Sequence, residues 1–437
     1  MTDVLIDRTS VRDALSPLPR VSVAGQLVRV VGLEAEARGV RGAIGDQMWI
    51  GNSAARVPAE VVAVHDDRLM LMPFGEMTGI GPGATVVNAG ARFRLRCGYG
   101  LIGRVVDALG RRIDGFEPVL GELVDLDSPV PHPLKRQRID TALPLGVRSV
   151  DTLLTCGRGQ RMGIFAGSGV GKSTLLGMMA RGTEADVIVV GLVGERGREV
   201  REFLEDDLGP EGRARSVTVV ATSDEPPLLR LRAAFTATRI AEWFRDQGLN
   251  VLLLVDSLTR FAMAQREVGL AAGEPPATRG YPPSVFATMP KLLERAGPGE
   301  LGTITALYTV LVEGDDLNEP VTDHARSILD GHIVLSRKLA AAGQYPTVDV
   351  LESVSRLAGK LVPQDRLALG RRIRQLLIAW EEAKDLVEIG AYVPGTNPDV
   401  DTYLARRHEI EAFLKQDVHD VADFEESWAR LAQVVGA

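Results

Sequence analysis

A glycine-rich segment at residues 166–174 has the residue types and spacing needed to hold a polyphosphate. It reads AGSGVGKST and fits the pattern of Ala or Gly, four residues, then Gly-Lys-Ser. Glycines let successive backbone N–H groups point into one cavity, and a helix N-terminus adds partial positive charge. We expect Lys172 to hold the β- and γ-phosphates and Ser173 to ligate Mg²⁺. The residues predicted to bind ATP here are Ala166, Gly167, Ser168, Gly169, Val170, Gly171, Lys172, Ser173 and Thr174.

Carboxylates that follow two apolar runs could complete such a site. The run NVLLLVD ends at Asp256, and DVIVVGLVG is followed directly by Glu195 and Arg196. Ligands of a doubly wound sheet bind beyond the carboxyl ends of its strands. We expect Asp256 to hold Mg²⁺ through its waters, Glu195 to orient or deprotonate the attacking water, and Arg196 to contact the γ-phosphate. On position alone, Glu195 and Arg196 could equally form an exposed loop ion pair.

Alternating strands and helices are the scaffold that these residues require. The apolar runs MGIFA, DVIVVGLVG, SVTVVA, NVLLLVD and TITALYTVL alternate with helical stretches such as STLLGMMARG. Strands that are apolar throughout predict a parallel sheet covered on both faces. Residues 95–355 are therefore predicted to form an α/β nucleotide-binding domain. Its opening part, GLIGRVVDALGRRIDG and SPVPHPLKR, is interpreted as a connecting layer.

Short strands precede this domain and helices follow it. The runs VAGQLVRVVGL, VPAEVVAV and RLMLMPF predict a small β-barrel or sandwich over residues 21–94. After Ser355 the strand signals disappear, and apolar residues at helical spacing predict a helical domain over residues 356–437. Residues 1–20 carry only an irregular apolar stripe and are interpreted as a short partner-binding helix.

Composition limits the partners and the compartment. The 50 Lys and Arg residues against 58 Asp and Glu residues give a net charge of −8, which provides no general attraction to nucleic acid or anionic membrane. The N-terminus lacks the continuous apolar segment of a secretory signal or a membrane span. Two cysteines are too few for a disulfide framework. We expect a cytoplasmic protein.

Several long motifs resemble the flagellar and type III protein-export ATPases, relatives of the catalytic subunit of rotary ATP synthases. They are GRGQRMGIFAGSGVGKST, VGERGREV, LLLVDSLTRFA, GYPPSVFATMPKLLERAG, TALYTVLVEGDDLNEP, DHARSILDGHIVLSRKLA and YPTVDVLESVSR. DHARSILDGHIVLSR and the ending IGAYVPGTNPDVD favour the flagellar branch over the virulence-type branch. The resemblance implies an N-terminal barrel, a RecA-like P-loop domain and a C-terminal helical domain. It also implies a homohexameric ring with ATP sites between subunits.

The resemblance implies roles for individual residues of the nucleotide site. Lys172 and Ser173 would bind phosphate and Mg²⁺, and Glu195, in VGERGRE, would activate water. Arg196 and Arg260, the latter in SLTRF, would contact the γ-phosphate. In the non-catalytic subunits of rotary ATPases the position of Glu195 is not a carboxylate, so its presence favours hydrolysis over passive binding.

Two further residues are assigned through the resemblance. Tyr345, in YPTVDV, would pack on adenine, and Arg356, in ESVSR, matches an arginine finger that reaches a neighbouring subunit's site. The family often has a Met soon after this arginine, where this chain reads Leu357-Ala358. Glu195 and Arg356 in one chain suggest that a single polypeptide supplies both halves of each site.

Four hypotheses about function follow. The first is a cytoplasmic export ATPase at the inner face of the membrane, whose partners are a stator-like regulatory protein, export-gate components, substrates and their chaperones. The second is a rotary ATP synthase subunit, against which Glu195 together with Arg356 and the C-terminal motif argue. The third is a ring-shaped RNA translocase, which the net charge disfavours. The fourth is a structural nucleotide-binding ring component, which Glu195 disfavours.

Overall fold

The computed structural model of the chain describes residues 23–52, 56–116, 120–312, 314 and 316–436. The chain divides into two units, Met1–Phe93 and Arg94–Ala437. The interpretation of residues 1–20 as a partner-binding helix concerns a segment outside the described residues. Within these described ranges, no helix is both long and apolar enough to cross a bilayer.

The first unit contains a closed barrel of six strands. They are β1 (Ala24–Val31), β2 (Glu34–Arg38), β3 (Gln47–Gly51), β4 (Arg56–His65), β5 (Arg68–Pro73) and β6 (Thr85–Asn88). All neighbours are antiparallel, in the order β1-β2-β5-β4-β3-β6. Successive side chains of a strand face opposite sides, so alternate residues such as Met48 and Ile50 fill the interior. The predicted N-terminal barrel is confirmed.

A second set of strands belongs to the second unit. In chain order they are β7 (Arg94–Cys97), β8 (Val105–Asp107), β9 (Glu122–Asp125), β10 (Arg161–Ala166), β11 (Val187–Glu195), β12 (Ser216–Thr222), β13 (Asn250–Asp256), β14 (Gly297–Pro298), β15 (Thr303–Leu311), β16 (Gly331–Leu335) and β17 (Val348–Ser355). Strands β7 and β9 pair with each other. The others form one sheet in the order β17-β16-β10-β15-β13-β11-β12-β8, with β14 beside β15. Seven strands of this sheet, from β16 to β8, are parallel.

Helices surround the sheet and form the C-terminal part. They are α1 (Arg148–Leu153), α2 (Lys172–Gly182), α3 (Gly197–Glu202), α4 (Gly209–Ala214), α5 (Pro227–Asp246), α6 (Leu258–Ala271), α7 (Pro283–Leu293), α8 (Pro320–Ile328), α9 (Arg337–Ala341), α10 (Ala358–Leu361), α11 (Gln364–Glu388), α12 (Pro398–Leu414) and α13 (Phe424–Val435). Strands β11, β13 and β15 are buried along nearly their whole length, so both faces of the sheet are covered. The predicted RecA-like α/β architecture is confirmed.

The C-terminal helices share one hydrophobic core with the sheet. Ile373, Phe413 and Trp428, from α11, α12 and α13, belong to the same buried cluster as Ile164 of β10. Arg148 strengthens this junction, because its guanidinium donates to the carbonyl of Phe413 over 3.2 Å. The division of this unit at residue 355 stays a prediction.

The sheet is larger than the five apolar runs predicted. The interpretation of residues 100–115 as a connecting layer is wrong for Val105–Asp107, which pairs in parallel with β12. This strand has three residues, too few for periodicity to reveal it. Strand β17 lies at the opposite edge, and its buried residues alternate with half-buried or exposed ones, so it lacks the continuous apolar run of a central strand.

A buried ion pair holds helix α5 to the segment after helix α7. Arg295 donates to both carboxylate oxygens of Glu242 over 2.7 Å, and their side chains are 4% and 0% exposed. Arg295→Met leaves the buried Glu242 carboxylate with only its longer contact to Arg239, at 3.5 Å, so we expect the free energy of unfolding to fall by about 3 kcal/mol in urea titrations. The double variant Glu242→Leu/Arg295→Met should recover much of this loss. Equal destabilisation of the single and double variants would contradict the explanation.

Candidate active site

The phosphate-binding segment follows strand β10 and turns directly into helix α2. Gly169 and Gly171 have φ angles of +76° and +84°, in the left-handed region that favours glycine. Gly171 is the N-cap of the helix, so the backbone N–H groups of the first turn are available to a ligand. Thr347 supports the loop because its hydroxyl donates to the carbonyl of Val170 over 2.7 Å. The result is an anion cradle at a helix N-terminus.

Other residues of this segment differ in their surroundings. Gly167 lies against Arg337, since a Cβ added to Gly167 would be 2.7 Å from the guanidinium Nε. Ser173 is half-buried in the first turn of α2, whereas the Thr174 side chain forms a hydrogen bond with Asp207. The Thr174 side chain therefore already bonds to a group of the protein. The buried members of the segment include Ala166 and Val170, and the exposed ones are Ser168 and Gly169.

Lys172 is held between two carboxylates at neighbouring strand ends. Its Nζ lies 2.5 Å from Asp256 Oδ1 and 3.7 Å from Glu195 Oε1. The three side chains are at most 14% exposed. Burial lowers the pKa of Lys172, but attraction to Asp256 and Glu195 outweighs burial, and the pKa is raised. Lys172 therefore keeps its positive charge, as a phosphate ligand requires.

Glu195 has a pKa close to neutrality. Burial, together with repulsion from Asp256, raises the pKa of Glu195 to about 7, although Lys172 acts in the opposite direction. A hydrogen bond joins the carboxyl groups of Glu195 and Glu199, and this bond lowers the pKa of Glu199. A base whose pKa lies near the working pH is efficient in proton transfer. The four-residue spacing in ERGRE was the available signal for Glu199, which the sequence analysis missed.

Thr309 is a second residue that the sequence analysis missed. It lies on β15, between β10 and β13, and is fully buried. Its hydroxyl donates to Asp256 Oδ1 over 2.7 Å, the same oxygen that Lys172 contacts. Thr309 therefore fixes the carboxylate of Asp256 beside the phosphate-binding segment. Only the spatial order of the strands reveals this, since 53 residues separate the two in sequence.

The two arginines predicted to contact the γ-phosphate lie in different environments. The stem of Arg260 lies against Gly194, where an added Cβ would be 3.1 Å from Arg260 Cβ. Its Nε is buried and has no hydrogen-bond partner among the described residues, which is unusual for a buried donor. Arg196 is 71% exposed and pairs with Glu199 at 3.1 Å. The fold thus brings Arg260 beside Glu195, whereas Arg196 stays on the solvent side.

Tyr345 lies next to the phosphate-binding segment. A Cβ added to Gly171 would be 3.7 Å from the ring Cε1, which is ordinary contact. The residue is 47% exposed, and its carbonyl accepts from Gln416 N over 3.0 Å. A half-exposed ring beside a phosphate cradle is suited to stack on a planar base.

Arg356 lies away from Lys172, Asp256 and Glu195. Ser355 lies opposite Gly331 at the start of β16, whereas Leu335 at the end of β16 lies opposite Ala166. Arg356 is therefore at the amino end of the parallel strands, about 16 Å along the sheet from the end that carries the phosphate-binding segment. Its guanidinium is exposed and donates to Arg326 O over 3.2 Å.

Comparison with known proteins agrees with this architecture. The model of the ATP synthase alpha/beta family, nucleotide-binding domain, matches residues 146–355, and that of the T3SS EscN ATPase C-terminal domain matches residues 362–433. The chain is 52% identical over 416 residues to the flagellum-specific ATP synthase of Bacillus subtilis (strain 168). That match covers 94% of this chain and 95% of the relative.

Two solved structures are also similar along most of the chain. The assembled ATPase EscN of the enteropathogenic E. coli type III secretion system has a TM-score of 0.90 and 46% identity, covering 94% of this chain and 100% of that chain. EscN in complex with its central stalk EscO has a TM-score of 0.88 and 45% identity, with the same coverage. This chain therefore belongs to the ATP synthase alpha/beta family, within the group of flagellum-specific ATP synthases and type III secretion ATPases.

Proposed function

We propose that this chain hydrolyses ATP to drive protein export through a flagellar type III apparatus. The observation that carries the proposal is the cluster of Lys172, Asp256 and Glu195 at the phosphate-binding segment. The flagellar branch is supported by the 52% identity to a flagellum-specific relative against 46% to EscN. EscN nevertheless matches along the same length, so a virulence-type secretion ATPase is the second candidate.

We assign different steps of hydrolysis to different residues of the site. Lys172 and the N–H groups of the first turn of α2 bind the β- and γ-phosphates. Glu195 accepts the proton of the attacking water, and once protonated it can donate a hydrogen bond to the Glu199 carboxylate. Arg260 offers its buried Nε to the γ-phosphate, where negative charge must be stabilised. Arg196 is a weaker candidate for this contact, because Glu199 already pairs with it.

The oxygen atoms near Lys172 also fit a Mg²⁺ ion. Mg²⁺ is commonly held by one or two carboxylates together with substrate phosphates, and it needs no dedicated cage of protein ligands. Ser173 and Asp256 supply a hydroxyl and a carboxylate of this kind, and Thr309 orients the carboxylate. In the described part of the chain no group of three or more His, Cys, Asp or Glu side chains could hold a metal by itself. The bound ion would neutralise phosphate charge.

We propose a ring of identical subunits, a homohexamer, in which Arg356 serves a neighbouring copy. Its place at the far edge of the sheet supports a role at the site of a neighbouring copy, because it cannot reach the phosphates of its own chain. The match to an assembled EscN supports the same arrangement.

The proposed partners are those of an export machine. EscN was solved in complex with a central stalk, which supports a stalk-like partner for this chain as well. We further propose a stator-like regulatory protein, export-gate components, export substrates and their chaperones, at the cytoplasmic face of the membrane. No nucleic-acid partner is expected, since the net charge is −8.

Substitution of Tyr345 tests the proposed adenine contact. Tyr345→Ala removes the stacking ring, so we expect the KM for ATP to rise by about 5- to 100-fold, which corresponds to about 1–3 kcal/mol per stacked base. Tyr345→Phe keeps the ring and should retain a KM close to that of the unmodified protein. Steady-state ATPase assays measure both variants, and an unchanged KM for Tyr345→Ala would contradict the assignment.

Affinity purification of the full chain from its own cells tests the function. Recovery of export-gate and stator-like proteins, with Mg²⁺-dependent ATPase activity in the purified protein, is the expected result. Flagellar or virulence-type gate proteins in the eluate would distinguish the two branches. Recovery of ATP synthase subunits or RNA in their place would overturn the proposal.

A further inference from the structure

The backbone of Arg356 is fixed by a polar cluster, built around a buried glutamine, that lies outside the phosphate site. We call this cluster the finger base and define it as Gln160, Arg161, Asp330 and Ser355. Gln160 is at its centre and is fully buried. Its amide Nε2 donates to the carbonyl of Asp330 over 3.2 Å and to Ser355 Oγ over 3.1 Å. Its Oε1 accepts from Gly157 N over 2.8 Å.

The same carbonyl of Asp330 also holds Arg356. The backbone N–H of Arg356 donates to it over 3.0 Å, so this oxygen accepts from both Arg356 and Gln160. The Asp330 carboxylate is in turn held by Arg161, through its backbone N at 3.1 Å and its guanidinium at 3.0 and 3.2 Å. Ser355 precedes Arg356 directly and donates to Thr155 O over 2.8 Å. The backbone N–H of Arg356 and the residue that precedes it are therefore both anchored.

We propose that Gln160 is a positioning residue for the arginine finger: it fixes the backbone from which Arg356 reaches the ATP site of the neighbouring subunit. The inference rests on the proposed function of Arg356. A displacement of about 1 Å in a group that contacts reacting atoms can reduce the rate about 10²-fold. The exposed guanidinium of Arg356 bonds to Arg326 O at its tip, and the backbone anchors limit displacement at the base of the side chain.

The position of Gln160 in the chain also connects the finger base to the phosphate-binding segment. Gln160 immediately precedes strand β10, and this strand ends at the phosphate-binding segment. One strand of six residues therefore bears the phosphate loop at its carboxyl end and the finger base at its amino end. Within one subunit, its own ATP site and the finger that serves the next subunit are joined by a single central strand.

A test must separate positioning from a general loss of stability, and Gln416 provides the matched control. Gln416 is also a buried glutamine whose Nε2 donates to two backbone carbonyls, those of Gly146 and Asp420, both over 2.8 Å. Its Oε1 accepts from Arg148 N over 2.8 Å. Gln416→Met thus removes a similar set of hydrogen bonds, but none of them reaches Arg356.

The experiment measures ATP turnover in rings of the full-length chain. In Gln160→Met rings we expect kcat to fall about 10- to 100-fold with little change in the KM for ATP, because each phosphate loop is intact. Gln160→Met subunits are then mixed with Glu195→Gln subunits, which lack the base but keep an intact finger base. Turnover per Gln160→Met subunit should increase, since sites at the mixed interfaces receive a well-placed finger. Gln416→Met subunits should gain nothing from the same mixing.

Two results would overturn the inference. One is a Gln160→Met defect that mixing fails to repair, and the other is a defect confined to KM. A parallel mixture of Arg356→Ala with Glu195→Gln reports on the finger itself. If only the Arg356→Ala mixture recovers turnover, the finger assignment stands and the role of Gln160 is refuted. If neither mixture recovers turnover, both the finger assignment and the inference are refuted. Ser355→Ala, which deletes one acceptor of the Gln160 amide, should show the same pattern and replaces Gln160→Met if that variant fails to fold.

Discussion

Glu195→Gln is expected to bind ATP with nearly unchanged affinity and to lose turnover by about 10²–10⁴-fold, the usual contribution of a general base. The amide keeps the size of the side chain but cannot accept a proton from water. Phosphate binding should persist, because Lys172 and the N–H groups of helix α2 are untouched. Fluorescent-nucleotide titration and steady-state phosphate release measure the two quantities separately.

The matched control for this substitution is Glu199→Gln. Glu199 accepts a hydrogen bond from protonated Glu195 but lies farther from Lys172 along helix α3, so its loss should cost far less turnover. Near pH 8, Glu195→Gln should unfold at the same temperature as the unmodified protein or at a higher one. The folded-state pKa of Glu195 is raised, so its stability contribution is full at low pH and decreases as the pH rises towards about 7. Turnover by Glu195→Gln at the unmodified rate would show that another group is the base.

The same pKa predicts how activity depends on pH. A base acts only when it is deprotonated, and burial with repulsion from Asp256 raises the pKa of Glu195 to about 7. We therefore expect kcat/KM to decrease as the pH falls below about 7, since this ratio reports the free enzyme. A profile that is flat between about pH 6 and pH 8 would contradict the assignment.

Arg356→Ala is expected to reduce turnover by about 10³–10⁵-fold, as the loss of an arginine finger does in other nucleotide hydrolases. The defect should appear in the subunit next to the one that carries the substitution. In rings with a rising share of Arg356→Ala subunits, activity should be lost at sites whose own residues are all intact. ATP affinity should change little, because the finger stabilises charge in the transition state.

Arg201→Ala is the surface control for this substitution. Arg201 is 80% exposed and pairs with Glu205 four residues along the chain, an interaction worth little to stability. Its turnover and mixing behaviour should match those of the unmodified protein. If mixed rings of Arg356→Ala and Glu195→Gln subunits recover no turnover, the effect of Arg356→Ala is local and the finger hypothesis fails.

The strand, glycine-rich turn and helix around the phosphate-binding segment were predictable from sequence alone. The glycines of residues 166–174 and the lysine after them act through local backbone geometry, which short-range spacing specifies. The continuous apolar runs likewise predicted the central parallel strands, because a strand that is covered on both faces needs apolar residues throughout. Asp256 and Glu195 followed from these runs, as each comes at a strand end.

Contacts between residues far apart in the chain depend on the order of the strands in the sheet. Thr309 and Asp256 share a hydrogen bond only because β15 lies beside β13, a neighbourhood that no local pattern encodes. Edge strand β17 lacked a continuous apolar run, so the position of Arg356 at the far end of the sheet could not be predicted from periodicity. The role of the buried Gln160 amide could likewise not be predicted from the sequence, since its partners lie 170 and 195 residues away. Short-range spacing specifies a phosphate loop, whereas strand order decides which residues, near or far in the chain, complete it.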